Sequence, residues 1–294
     1  MMTLNKVFAL SVIALSLAAC SSNGSGAPST NNGNNSFVSG AGVATQGAVV
    51  TSFYSVKEDV RKDVNSWATQ KGFKPGEVEL ASVTLQVGSV SSKGSNINLF
   101  DVVPARNEVQ TVGTVTTARV KAGGDNYELI SKGRAHIYRQ NYSLIAGLSE
   151  RERIEKDPSG IERNLGVDDD SVDFVVKGSA TKILPAAGKF SYAGIATDGE
   201  KQGALSYTVD FKEKTGKGQI TGIDKTDITL NEASITEFSH TNEFDNTEIN
   251  GYGIKGSSNK GDYKLGFFGP NAEEIVGAVT EGTNSIGFAG SRPH

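Results

Sequence analysis

The sequence predicts a mainly β protein: an N-terminal β-rich domain with one short helix, then a C-terminal eight-stranded antiparallel up-and-down β-barrel. Three observations carry that prediction. Glycine is abundant, at 35 of 294 residues, aromatics are sparse, and turn signals recur at short intervals. Only one segment has helical periodicity. From Lys189 onward, eight short apolar stretches follow one another with tight turns between them, as expected of sequential strands that close on themselves and leave no edge exposed.

The chain opens with a short basic start, an apolar run from about Val7 to Leu17, and then Ala18-Ala19-Cys20. This is the pattern of a secretory signal peptide, here residues 1–19. Cys at its end marks a bacterial lipoprotein signal, in which diacylglycerol is added to the thiol and Cys20 becomes the new N-terminus. The run is too short for a permanent span, which needs about 20 residues. Cys20 is the only cysteine, so its role is lipidation and the mature chain has none left for disulfides. Ser21 follows it, where Asp would favour retention at the inner membrane; the expectation is lipid anchorage in the outer membrane. Residues 20–36 hold the lipidated Cys and a Gly/Ser/Asn tether without a large apolar residue. Nothing there offsets the entropy of ordering, so the tether is predicted disordered, with a span of roughly 20–25 Å.

The formal charge of −4 becomes more negative by one when Lys6 leaves with the signal peptide. No Lys/Arg block exists to attract nucleic acid or an anionic lipid surface. The remaining residues divide into an N-terminal β-rich domain at 37–185 and a barrel domain at 186–294.

Phe53, Val56, Val60, Val64 and Trp67 recur at helical spacing and place one apolar face on a helix at 55–70. Ser55 and Glu58 fit a capping box, and Gly72 fits a stop. Trp67, the lone tryptophan, is read as a core anchor. After Gly76 the period changes to two. Val78 to Val87 reads as a strand or hairpin, Val109 to Val120 as a Val/Thr-rich strand, and Tyr127 to Tyr138 as another hairpin. Ala122-Gly-Gly-Asp125 reads as a hairpin turn. The charge-dense run Ser149–Gly160 reads as a solvated loop or short helix. Asp168-Asp169-Asp170 lacks the spacing of a calcium loop and reads as a solvated turn.

The predicted barrel strands lie near 189–196, 203–211, 217–223, 227–238, 247–256, 261–268, 273–280 and 284–290. Asp198-Gly199, Thr215-Gly216, Asp245-Asn246, Asn259-Lys260-Gly261 and Gly269-Pro270-Asn271 supply turn chemistry between them. A barrel of this size has room for side chains or one small ligand. Leu205, Tyr207, Val209, Phe211, Leu265, Phe267, Ile275, Ile286 and Phe288 are enough to fill it, so the interior is expected to be packed.

At these residues a resemblance emerges. Gly203 to Phe211 (GALSYTVDF) with Lys214 to Ile220 (KTGKGQI), then Lys260 to Gly269 (KGDYKLGFFG), Glu273 to Gly277 (EEIVG) and Ile286 to Ala289 (IGFA), resemble the barrel of the factor H-binding protein family. Lys132 to Ser143 resembles a strand of its N-terminal half, and Leu184 to Gly194 its domain junction. Phe268 to Glu274 also resembles a turn that recurs in the barrels of transferrin-binding protein B. That wider group includes lipoproteins that scavenge haemoglobin, haptoglobin or haem and are displayed by outer-membrane exporters.

The resemblance implies a surface lipoprotein with an N-terminal handle domain and a C-terminal barrel, and it implies binding rather than catalysis. The implied partner is a host plasma protein, with complement factor H as the named candidate, in the service of immune evasion and virulence. Two barrel glutamates serve as contacts in factor H binders; their positions here are occupied by Asn259 and Thr280, with Glu281 adjacent. Glu243 and Glu248 complete the candidate contact set, and Glu200 is a further barrel carboxylate. The alternative is nutrient capture of haem, haemoglobin or transferrin. Haem needs an axial His or Tyr in an apolar cleft. His136 and Tyr138 point to one face of a predicted strand, and Tyr142 shares it if the strand runs on, the simpler reading being a half-exposed His beside two aromatic residues. His240, in Ser239-His-Thr-Asn242, reads as a turn residue. No cofactor is otherwise expected. No Gly-x-Ser-x-Gly elbow, free Cys, acid–His pair or Gly-rich phosphate loop is present, and Glu273-Glu274 would alternate faces in a strand, so no enzyme is expected.

Overall fold

The computed structural model describes residues 49–51, 56–74, 76–93, 97, 99–103, 106–167, 172–241, 248–281 and 284–293. The signal peptide, Cys20, the tether, the Asp168-Asp169-Asp170 run and Glu243 lie outside these residues.

The N-terminal part is one antiparallel sheet. Its strands are β1 (Val49–Thr51), β2 (Val78–Val87), β3 (Val90–Lys93), β4 (Val109–Ala122), β5 (Asp125–Arg139), β6 (Ser143–Lys156), β7 (Glu162–Asn164) and β8 (Asp173–Ser179). They are ordered β1-β8-β6-β5-β4-β2-β3, with β7 pairing the far end of β6. Helices α1 (Val56–Lys71) and α2 (Leu99–Val102) complete this part. The β4–β5 hairpin turns through Gly123 and Gly124, both with positive φ (59° and 92°); a two-residue turn of this kind favours glycine at both positions.

Helix α1 forms as its spacing predicts. Val60, Val64, Trp67 and Ala68 are buried in the same cluster as Val83, Leu85, Val120 and Ile137 of the sheet. It ends in a Schellman motif: the Phe73 amide donates to Ala68 O at 3.0 Å and the Gly72 amide to Thr69 O at 3.1 Å, with Gly72 at φ 82°. The ring of Phe73 then packs on Trp67, 5.7 Å between centroids, the apolar contact that accompanies this cap.

Three readings are corrected here. Tyr127 to Tyr138 is not a hairpin but the middle of one long strand, β5. Gly133 within it marks a close approach, since a Cβ there would lie 2.1 Å from Ser149 O. The charge-dense run is not a loop or helix up to Lys156: it is the second half of β6. Its charges are met across strands, Lys132 to Glu152 at 3.0 Å, and Glu155 faces the core beside Trp67. Only the Asp157-to-Gly160 turn that follows is a loop. His240 lies in a barrel strand rather than a turn.

The C-terminal part is a closed barrel. Its strands are β9 (Lys189–Thr197), β10 (Gln202–Asp210), β11 (Thr215–Thr221), β12 (Ile228–Thr241), β13 (Glu248–Ser257), β14 (Asp262–Phe268), β15 (Glu274–Glu281) and β16 (Asn284–Ser291). Each pairs with the next, and β16 closes on β9. The interior is packed: Leu205, Tyr207, Val209, Phe211, Leu265, Phe267, Ile275 and Phe288 are buried, and Ile286 packs against them. Tyr207 Oη lies 3.0 Å from Tyr263 Oη, which donates to Asn231 O at 2.7 Å; Tyr207 is therefore the donor to Tyr263. Burial raises both phenols above their ordinary value. The ring of Tyr207 fits only because Gly218 faces it, where a Cβ would lie 2.4 Å from the ring.

The result is three layers. The helices cover one face of the sheet and the barrel covers the other. Tyr138, Ile145, Phe174 and Val176 of the sheet form a cluster with Phe268, Val276 and Ala289 of the barrel. Just after β8 the chain bonds directly to β14, through Thr181 N to Phe267 O and Gly269 N to Ser179 O, both 2.9 Å.

Candidate functional site

Sequential antiparallel strands deliver alternate turns to opposite rims of the barrel. The β9–β10, β11–β12 and β13–β14 turns and the end of β15 share one rim; the start of β13 and the β14–β15 turn share the other. Asn259, Thr280 and Glu281 therefore come together at one rim, with Asp262 pairing Thr280 directly below. Glu200 belongs to the same rim. Glu248 begins β13 at the opposite rim, paired with Thr241, and so stands at the other end of the barrel from Glu281.

The first rim is held by polar contacts absent from the sequence reading. Lys260 Nζ lies 2.7 Å from Asp224 and 3.8 Å from Glu281, which ties three turns into one charged arc. The hydrogen bond with Asp224 raises the Lys260 ammonium pKa, and the same bond lowers that of the Asp224 carboxyl. Asn259 Oδ1 accepts from Thr229 N at 2.9 Å and its Nδ2 donates to Asp227 O at 3.0 Å. Its side chain thus pins the β13–β14 turn to β12. Thr280 and Glu281 are exposed. No sequence signal marks Asp224, because its link to Lys260 depends on which turns the strand pairing brings to one rim.

The opposite rim meets the sheet. Glu274, which is 1% exposed, accepts from Asn141 N at 2.7 Å, Tyr142 N at 3.0 Å and Ser143 Oγ at 2.7 Å. Burial pushes its carboxyl up to about 7, against the opposing pull of these donors. Glu273 turns instead to its own turn, accepting from Asn271 N at 2.9 Å. The two carboxylates thus point apart, as alternation requires.

His136 and Tyr138 do share a face of β5. Tyr138 is buried against the barrel, and Tyr142 packs beside Gly269, where a Cβ would meet its ring at 2.8 Å. His136 is half-buried, its Nδ1 2.8 Å from Thr111 Oγ1. The three rings are distributed along the sheet–barrel junction. Among the described residues no three His, Cys, Asp or Glu side chains are placed to hold a metal.

This architecture defines a class: a β-rich sheet domain docked side-on to a closed eight-stranded barrel. Residues 182–279 match the family described as Factor H binding protein, C-terminal, a span that falls on the barrel. The solved structures similar to this chain include an intact transferrin-binding protein B with N and C lobes, at 14% identity and TM-score 0.34, covering 74% of this chain and 46% of that one. A mutant of that protein from Actinobacillus pleuropneumoniae H49 matches at 15% identity and TM-score 0.33, covering 73% of this chain and 100% of that one. The isotype 1 protein from serogroup B Neisseria meningitidis matches at 14% identity and TM-score 0.31, covering 74% of this chain and 43% of that one. This chain thus spans less than half of the intact two-lobed protein. Likeness at this level does not bear on ligand or partner.

Proposed function

We infer that this protein is a surface-exposed lipoprotein, anchored through Cys20 in the outer membrane, that binds a host plasma protein of the complement factor H kind. The observation that carries this reading is the family match over 182–279, which falls on the closed barrel. The contact face is the rim that gathers Asn259, Thr280 and Glu281 with Asp224 and Lys260. A standard interface needs roughly 800 Å² per partner, and the sheet reaches this rim where Arg151 meets Glu200 at 3.9 Å, so it contributes to the face. Charged groups at such a face set on-rate and specificity more than raw affinity.

The sequence departs from factor H binders at Asn259 and Thr280, and this bears on which plasma protein is held. Surface plasmon resonance with purified factor H tests the partner, and external protease on whole cells tests the display. Saturable binding together with cleavage on intact cells supports the reading. Whole cells that protect the protein from external protease would overturn it.

A further inference from the structure

Two rows of registered residues cross the barrel-side face of the sheet. Gly113 on β4, Arg134 on β5 and Ser149 on β6 stand opposite one another, and beside them stand Thr111, His136 and Gly147. Directly opposed residues on antiparallel strands share a face, so two basic side chains are surrounded by four small ones. A Cβ at Gly113 would meet nothing within 4 Å, which leaves open space beside Arg134. Val172 and Phe174 wall the opposite side, since a Cβ at Gly147 would run into both.

The charges facing this recess are out of balance. Lys132, on the same face, is matched by Glu152 at 3.0 Å. Arg151 on β6 reaches Glu200 of the barrel at 3.9 Å. Arg134 has no carboxylate partner among the described residues. Burial first, and then Arg134 and Arg151, hold the His136 imidazole below its ordinary pKa. Tyr138 is the other titratable ring on this face. Ser149 is 6% exposed, and its Oγ has no hydrogen-bond partner. An unpaired buried hydroxyl is unfavourable, and here it sits beside a cation that lacks a counter-charge.

We propose that this recess is a binding site for a tetrahedral oxyanion, phosphate or sulfate, free or as a monoester, held by Arg134 and Arg151 with the Ser149 hydroxyl as a further donor. Arginine's planar fork matches such oxygens in bidentate fashion. His136 engages Thr111 through Nδ1, and the protonated ring presents Nε2–H to the anion whichever tautomer the neutral ring holds. The bound negative charge favours that protonation, so sulfate, which stays dianionic, binds more strongly as pH falls through the range where His136 titrates.

The test follows the His136 ring by NMR in the intact protein while inorganic phosphate, inorganic sulfate or phenyl phosphate is added. The expected result is a saturable shift with an upward move of the His136 pKa. Arg134→Gln should weaken binding by about tenfold or more with an unchanged thermal midpoint, and Ser149→Ala should weaken it while leaving the fold intact. A response to the inorganic ions marks a free-ion site, and a response to phenyl phosphate alone marks a monoester site. No ring shift with any of the three probes, or Arg134→Gln titrating like the parent, overturns the proposal.

Discussion

Trp67 donates its indole N–H to Glu155 Oε2 at 2.8 Å, which joins the chain's only tryptophan to a carboxylate with no exposed surface. Lys71, one helical turn further on, meets the other oxygen of that carboxylate at 2.7 Å. Helix α1 is thereby fixed to β6 by charge as well as by apolar packing.

Trp67→Phe keeps an aromatic ring but withdraws one donor from a fully buried carboxylate. Loss of a hydrogen bond to a buried charge costs about 1.5–3 kcal/mol. Urea unfolding should show a lower midpoint with an unchanged slope. An unchanged midpoint would mean that Lys71 and Arg163, the cations at the same carboxylate, satisfy Glu155 without the indole.

Glu274 makes stability depend on pH. Its folded pKa, about 7, lies above the ordinary value of 4.5, so the folded state holds a proton that the unfolded state releases. Its contribution is fully present below about pH 4.5 and is lost as pH rises through 7, by roughly 3 kcal/mol at about 1.4 kcal/mol per unit. Glu274→Gln should flatten the stability–pH curve in that window, read by thermal melts at a series of pH values. An unaltered curve would contradict this assignment.

Gly218→Ala places a methyl group 2.4 Å from the Tyr207 ring and 2.5 Å from Ser206 O. Backbone on one side and a fully buried ring on the other leave it nowhere to move. Overpacking of this kind costs about 1–3 kcal/mol and occasionally more. The expected outcome is a lower melting temperature together with a disturbed near-ultraviolet signal from the buried tyrosines.

Asn259→Ala removes both bonds that pin the β13–β14 turn to β12. Because the site is exposed, the global cost should be about 1 kcal/mol or less. The measurable effect is faster amide exchange at Thr229, whose N–H loses its acceptor.

The barrel was legible because alternation marks its strands and turn chemistry falls at Asp198-Gly199, Asn259-Lys260-Gly261 and Gly269-Pro270-Asn271, whereas Thr215-Gly216, read as a turn, opens β11 after a turn at 211–214. Helix α1 was legible because its apolar spacing and its Gly72 stop coincide. The second half of β6 was hidden for a physical reason. Charge density reads as solvation, yet here Lys132 and Glu152 face each other across strands while Glu155 turns inward to Trp67 and Lys71. At the candidate site, the resemblance marked Asn259 and Thr280, but the Asp224–Lys260–Glu281 arc depends on which turns share a rim. Glu248 was grouped with Glu281 by charge alone, and strand direction separates them. The Glu274 clamp joins segments more than a hundred positions apart, a separation of 131 residues for its bond to Ser143, and no local pattern encodes it.

The central claim is that the rim carrying Asn259 and Glu281 recruits a host plasma protein. Immobilised parent protein and the exposed-rim variant Glu281→Lys should each be passed over human and animal serum, and the retained proteins identified by mass spectrometry. The account predicts that the parent retains factor H or a related complement regulator and that the variant retains markedly less. A parent column that retains no plasma protein, or a variant column that retains the same protein equally well, would contradict it.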